Sequence, residues 1–226
     1  MRRFASGKTL KSCALRADIP VAVVSGIAGI RVYRVTLNGT ANHAGAFPMD
    51  VRNDPMAGFV EIAHILMEDA RRLGRPVVTT VGQVFADPNR PTIIPSRVEF
   101  TVDARDAETD AHHQLLASHE KVMREIASKH GLGIEWSLFI DHEPCLSDSN
   151  IVRSLQAGAS EQGIPFMTMP SGAAHDAQQM AEIANIGMVF VRSKDGRSHT
   201  PEEFSSVDDM TAGIKVLASG LHKLAY

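Results

Sequence analysis

The chain has 226 residues, 44% hydrophobic and 22% charged, enough apolar material for one large domain or two small ones. Its formal net charge is −3, with 23 Lys and Arg against 26 Asp and Glu and no basic block, so nucleic acid is not an expected partner. No apolar run approaches the roughly 18 residues of a membrane span, Met1–Ala14 lacks the continuous apolar core of a signal peptide, and a cytoplasmic location is expected.

In chain order, Val21, Val23 and Val24 between Pro20 and Gly26 predict a short strand over 19–26. Alternation of Val32, Tyr33, Val35 and Leu37 predicts a second strand over 30–37, followed by a Gly-, Ala- and Pro-rich loop over 39–50. Met56, Phe59, Val60, Ala63, Leu66 and Met67 recur at helical spacing within 53–73, with Pro55 suited to the first turn and Gly74 and Pro76 to the stop. Residues 77–85 are β-branched and read as a strand, 87–91 as a turn. Val98, Phe100 and Val102 alternate with Glu99 and Thr101 as a further strand. Leu115, Leu116, Val122, Met123 and Ile126 form the apolar stripe of a helix over 107–130, closed by Gly131 and Gly133, and a strand over 134–140 follows.

The order over 30–140 is therefore β-α-β-β-α-β, a ferredoxin-like unit with two helices on one face of a four-stranded sheet. Beyond it, helices at 150–163, 177–184 and 208–224 alternate with short apolar strands at 166–169 and 187–191. This alternation predicts a parallel sheet covered on both faces. Two such strands lack neighbours, so the segment, with 19–26, reads as a slice of a larger α/β domain. The expected organisation is 1–28 as a remnant of that domain, 29–144 as a ferredoxin-like lid, and 145–226 as the C-terminal part of the α/β domain.

Of ten histidines, His64, His112, His113, His119, His130 and His222 lie on or beside predicted helices without ligand-type spacing and are expected to be packed or solvated. Cys13 and Cys145 show no metal spacing and read as unpaired thiols. Three histidines sit in small-residue loops, where α/β folds keep their sites. His43 lies in Gly39-Thr-Ala-Asn-His-Ala-Gly-Ala-Phe-Pro-Met-Asp50, equally a turn histidine capping local backbone. His175 lies in Ser171-Gly-Ala-Ala-His-Asp176, whose small residues could expose N–H groups to a carboxylate or oxyanion. A Ser171–His175–Asp176 triad is not expected, because triad members converge from separate elements. His199 lies near Asp195, Glu202 and Glu203, acids that could orient an imidazole ligand. One His is not a metal site, and no H-x-x-x-H or H-E-x-x-H pattern is present. Arg105, at a strand end, could clamp a substrate carboxylate or simply pair with Asp103 or Asp106.

Taken together, the His43 loop, Ile94-Pro95 with Phe100-Thr-Val-Asp-Ala-Arg105, Ser171-Gly-Ala-Ala-His-Asp-Ala177, Ser198-His-Thr-Pro-Glu202 and Pro20-Val-Ala-Val-Val-Ser-Gly-Ile-Ala-Gly29 resemble one family. It is the allantoate amidohydrolase and N-carbamoyl-L-amino-acid hydrolase group, M20-type metallopeptidase relatives, and the likeness runs from about Ile19 to Tyr226. The resemblance implies a hydrolase of ureido or carbamoyl C–N bonds that uses two divalent metal ions, zinc or manganese, with His199 as one ligand. It implies a homodimer through the lid, in which His43 reaches the partner's site and polarises the scissile carbonyl. It assigns substrate binding to His43, Thr92, Arg105, Gly172, Ala173 and His175.

Departures accompany the likeness. Thr92 stands where the family commonly has Asn, and Ala174 where it has Gly. Arg192 and Arg197 stand at commonly apolar or Pro positions. The family's earlier ligands and general base have no counterpart, and a His expected near Phe4–Leu10 is missing. A truncated form, inactive alone, is therefore expected. Two other readings are a non-catalytic dimerisation module and a carboxylate-binding protein without chemistry.

Overall fold

A computed structural model describes residues 19–225. Cys13 and the Phe4–Leu10 stretch lie outside the described residues. The chain divides into two compact units. One comprises Ala28–Cys145 with Gly172–Ala174. The other takes residues 19–27, then Leu146–Ser171, then residues 175–225.

The first unit holds β2 (Gly29–Asn38), β3 (Asn42–His43), α1 (Pro55–Leu73), β4 (Val78–Asp87), β5 (Ile93–Ile94), β6 (Arg97–Asp106), α2 (Thr109–Lys129) and β7 (Gly133–His142). Its main sheet is antiparallel, in the order β4-β6-β2-β7. Apolar residues at every second position explain the packing. Tyr33, Val35 and Leu37 on β2 and Val98, Phe100, Val102 and Ala104 on β6 point to one face. They meet Ile62 and Leu66 of α1 and Leu115, Leu116 and Met123 of α2. Each large side chain so buried contributes about 1.5–3 kcal/mol. The expected ferredoxin-like unit is present, with strands longer than the periodicity alone marks.

Helix α1 starts where Asp54 Oδ accepts from the Met56 N–H at 2.9 Å, with Pro55 in the first turn. It stops at Gly74, whose φ of 77° suits glycine. Helix α2 buries His112 and His119 completely in this core. His113 and His130 instead meet acids from other elements: His113 Nε2 lies 2.7 Å from Glu143, and His130 Nε2 lies 2.7 Å from Glu61.

The second unit holds β1 (Val21–Ile27), β8 (Cys145–Leu146, at the boundary), α3 (Ser149–Glu161), β9 (Phe166–Ser171), α4 (Ala177–Met180), β10 (Met188–Val191) and α5 (Val207–Ala225). Strand β1 pairs parallel with β9, as expected, but antiparallel with β10, so the sheet is mixed rather than wholly parallel. Alternating helices and strands state the layers but not the direction in which the chain re-enters the sheet. The core here is small: Val21, Val23, Leu155, Ala159 and Val216. Asp148 starts α3 by accepting from Asn150 and Ile151 N–H groups. Among the described residues no helix is long and apolar enough to cross a membrane.

Candidate functional site

The His43 loop is built at one end of the lid sheet. After β2, the two-residue strand β3 pairs with β5, setting His43 opposite Ile93. The Ala44 N–H donates to Thr92 O at 3.0 Å, so His43 and Thr92 lie together. Arg52 holds the loop from within. Its Nη2 donates to Ala44 O and to Phe47 O, each at 2.7 Å, and its Nε donates to Phe47 O at 3.0 Å. Sequence reasoning missed Arg52, because nothing local distinguishes it from a surface arginine.

Within this loop the imidazole of His43 has one nitrogen committed. Gly45 and Ala46 N–H groups donate to Nδ1 at 3.0 and 3.1 Å. A ring nitrogen that accepts two N–H groups carries no proton, so the neutral ring bears its proton on Nε2. His43 is exposed, and that Nε2–H is available as a donor to a carbonyl or oxyanion. The local-cap reading and the donor reading therefore hold at once, on different nitrogens.

Arg105 lies at the other end of the same sheet. It sits opposite Ile30 on β2 and Val78 on β4. Of its two candidate acids it takes Asp103: Nε and Nη2 donate to the two carboxylate oxygens, each at 2.8 Å. Asp106 is buried and accepts instead from the Glu108 N–H. Nη1 of Arg105 donates to Gly172 O at 2.9 Å. The hydrogen bond from Asp103 raises the Arg105 pKa, outweighing burial, so the guanidinium stays charged.

Two groups therefore form, not one. His43 with Thr92 stands beyond Asn38, and Arg105 with Gly172 stands beside Ile30. The strand between Ile30 and Asn38 spans roughly 25 Å at about 3.3 Å per residue. No amino-acid-sized substrate can touch both groups of one chain.

In the second unit, Ser171 Oγ and His175 Nε2 are 2.7 Å apart. This is a pair and not the triad, since Asp176 stands at the start of α4. The small residues Gly172, Ala173 and Ala174 let the chain turn back on itself. The His175 ring also packs on Phe190, and the His175 backbone N–H donates to Gln178 Oε1. Asp176 serves as the residue before α4. Gly172 and Ala173 are exposed.

His199 is exposed, with φ of 60°. The neighbouring acids do not orient its ring as expected. Glu203 accepts from the His199 backbone N–H at 2.9 Å, and Glu202 pairs with Arg197. Among the described residues no three His, Cys, Asp or Glu side chains converge to hold a metal ion, so they do not by themselves fit one.

These features define a two-unit α/β protein in which a ferredoxin-like lid, bearing polar groups at both ends of its sheet, interrupts a mixed α/β unit. The chain belongs to peptidase family M20/M25/M40, which it matches over residues 23–223. It is 38% identical to an N-carbamoyl-L-amino acid amidohydrolase of Geobacillus stearothermophilus, over 92% of this chain and 51% of the relative. It is 36% identical to an allantoate amidohydrolase of Escherichia coli, over 96% of this chain and 53% of that protein. A crystal structure of a hydantoinase/carbamoylase family amidase from Burkholderia multivorans superposes with a TM-score of 0.83 at 31% identity, covering 89% of this chain and 49% of the other. The chain spans about half the length of the curated relatives it matches.

Proposed function

We propose that this chain serves an amidohydrolase that cleaves ureido or carbamoyl C–N bonds, in allantoate or an N-carbamoyl amino acid, at a site completed between two copies. The observation that carries this reading is the separation of His43 and Arg105 by the length of β2. When two sheets pair through the same edge strand about a two-fold axis, the strands run antiparallel. The His43 end of one lid then comes level with the Arg105 end of its partner. Both outer strands, β4 and β7, carry exposed apolar side chains, Val84 and Phe85 on one and Leu138 and Phe139 on the other.

In such a site Arg105 binds the substrate carboxylate. Gly172 and Ala173 lie beside that carboxylate, Thr92 arrives with His43 from the partner, and the partner's His43 donates its Nε2–H to the carbonyl oxygen as charge develops there. His199 is proposed as one ligand of the two divalent ions, zinc or manganese, that the family likeness implies. The described residues do not supply the rest of that ligand set or a general base, so hydrolysis needs the other half of the family's length.

The test assays the chain alone and the chain joined to the complementary half of a relative. The chain alone should turn over neither substrate. In the joined enzyme His43→Ala should lower kcat by roughly a hundredfold, and Arg105→Ala should mainly raise KM. At substrate well below KM, equal mixing of the two variants should restore about a quarter of the wild-type activity, because half the dimers are mixed and each holds one intact site. Turnover by the chain alone would refute the need for the complementary half, and no recovery on mixing exchangeable dimers would refute the shared site.

A further inference from the structure

Arg105 has five N–H groups, and three are engaged: Nε and one on Nη2 by Asp103, one on Nη1 by Gly172 O. One N–H is left on each terminal nitrogen. A pair of N–H groups on the two terminal nitrogens is the donor fork that fits a carboxylate bidentately. The orientation of that fork depends on what grips the opposite edge of the guanidinium.

That grip comes from Asp103, two residues back on the same face of the central strand β6. Its cross-strand neighbours are Val32 on β2 and Thr80 on β4, and those of Arg105 are Ile30 and Val78. None of these carries a charge that would compete for the guanidinium. The Arg105 and Asp103 side chains are themselves only 28% and 30% exposed, which limits screening of the pair.

We propose that Asp103 is a positioning residue for substrate: it holds the Arg105 guanidinium so that one N–H of Nη1 and one of Nη2 face a carboxylate ligand. The proposal rests on the reading of Arg105 as the carboxylate binder. A carboxylate that merely neutralised Arg105 would weaken anion binding, so its removal would lower KM. A carboxylate that aims Arg105 would raise KM on removal.

The experiment compares Asp103→Asn, Arg105→Ala and the double variant in the metal-loaded joined enzyme, using an N-carbamoyl amino acid and its uncharged carboxamide. Asp103→Asn, nearly the same shape, should raise KM for the acid about tenfold with kcat within about twofold, as expected for lost ground-state binding. KM for the carboxamide should stay within about twofold. In the Arg105→Ala background Asp103→Asn should add nothing further, since its effect passes through Arg105. Asp103→Ser, which also removes the grip, should behave alike if Asn perturbs folding. An unchanged or lowered KM, or the same increase without Arg105, overturns the proposal while leaving Arg105 as the binder. If Arg105→Ala itself leaves KM for the acid unchanged, the underlying reading fails and the proposal with it.

Discussion

Acid should weaken the lid through His119. This side chain is fully buried in the core beneath the sheet, its Nδ1 has no hydrogen-bond partner, and its Nε2 lies 3.5 Å from Thr79 Oγ1. Burial pushes its pKa down from 6.5 to about 4, against a smaller opposing pull from Asp69. In the unfolded chain the ring titrates near 6.5; in the folded lid it stays neutral until about pH 4. Above pH 6.5 both states are neutral and the group costs nothing. Between these values the unfolded state binds more protons, so stability falls as pH falls, by up to about 1.4 kcal/mol per unit. Integrated over the window the loss is about 3 kcal/mol, a large share of a domain's stability. His112, buried on the same helix with neither ring nitrogen partnered, is shifted down by burial too. Glu143, Arg31, Asp106 and His113 are the charged or titratable groups that act on it. The assay is urea unfolding from pH 8 to pH 4, followed by the fluorescence of Trp136, the sole tryptophan, which packs against this core. His119→Leu should be as stable as the parent at pH 8 and should lose about 3 kcal/mol less by pH 4. Parallel pH curves for parent and variant would refute the account.

Three further outcomes follow from particular residues. A Cβ on Gly39 would lie 2.2 Å from Asn53 O, so Gly39→Ala should destabilise the lid by about 3 kcal/mol in urea unfolding. Gly172 has open space around its Cβ position, and Gly172→Ala should stay within about 0.5 kcal/mol of the parent. Dialysed chain should retain less than one zinc or manganese ion per chain by elemental analysis, because a lone His199 does not make a chelate; two tightly held ions would contradict this.

Local pattern determined much of this protein. Apolar patterns with periods of two and of about three and a half residues place the four long lid strands and both lid helices, but not the two-residue strands β3 and β5, since a side chain's face follows directly from its position along a strand or helix. Pro55 and Gly74 mark the ends of α1 because backbone freedom at those positions is a property of single residues. The motifs around His43, Arg105, His175 and His199 were legible as candidates for the same reason. Partner choice was not. That Arg105 takes Asp103 rather than Asp106, that Glu61 reaches His130, and that Ser171 meets His175 depend on which way each strand face turns and where the chain folds back. Strand direction also escaped local reading, since β10 returns antiparallel to β1. Only the tertiary structure separated His43 from Arg105 along β2. Spacing along a chain constrains distance just within an element, whereas distance across a sheet is decided by strand register and by long-range packing.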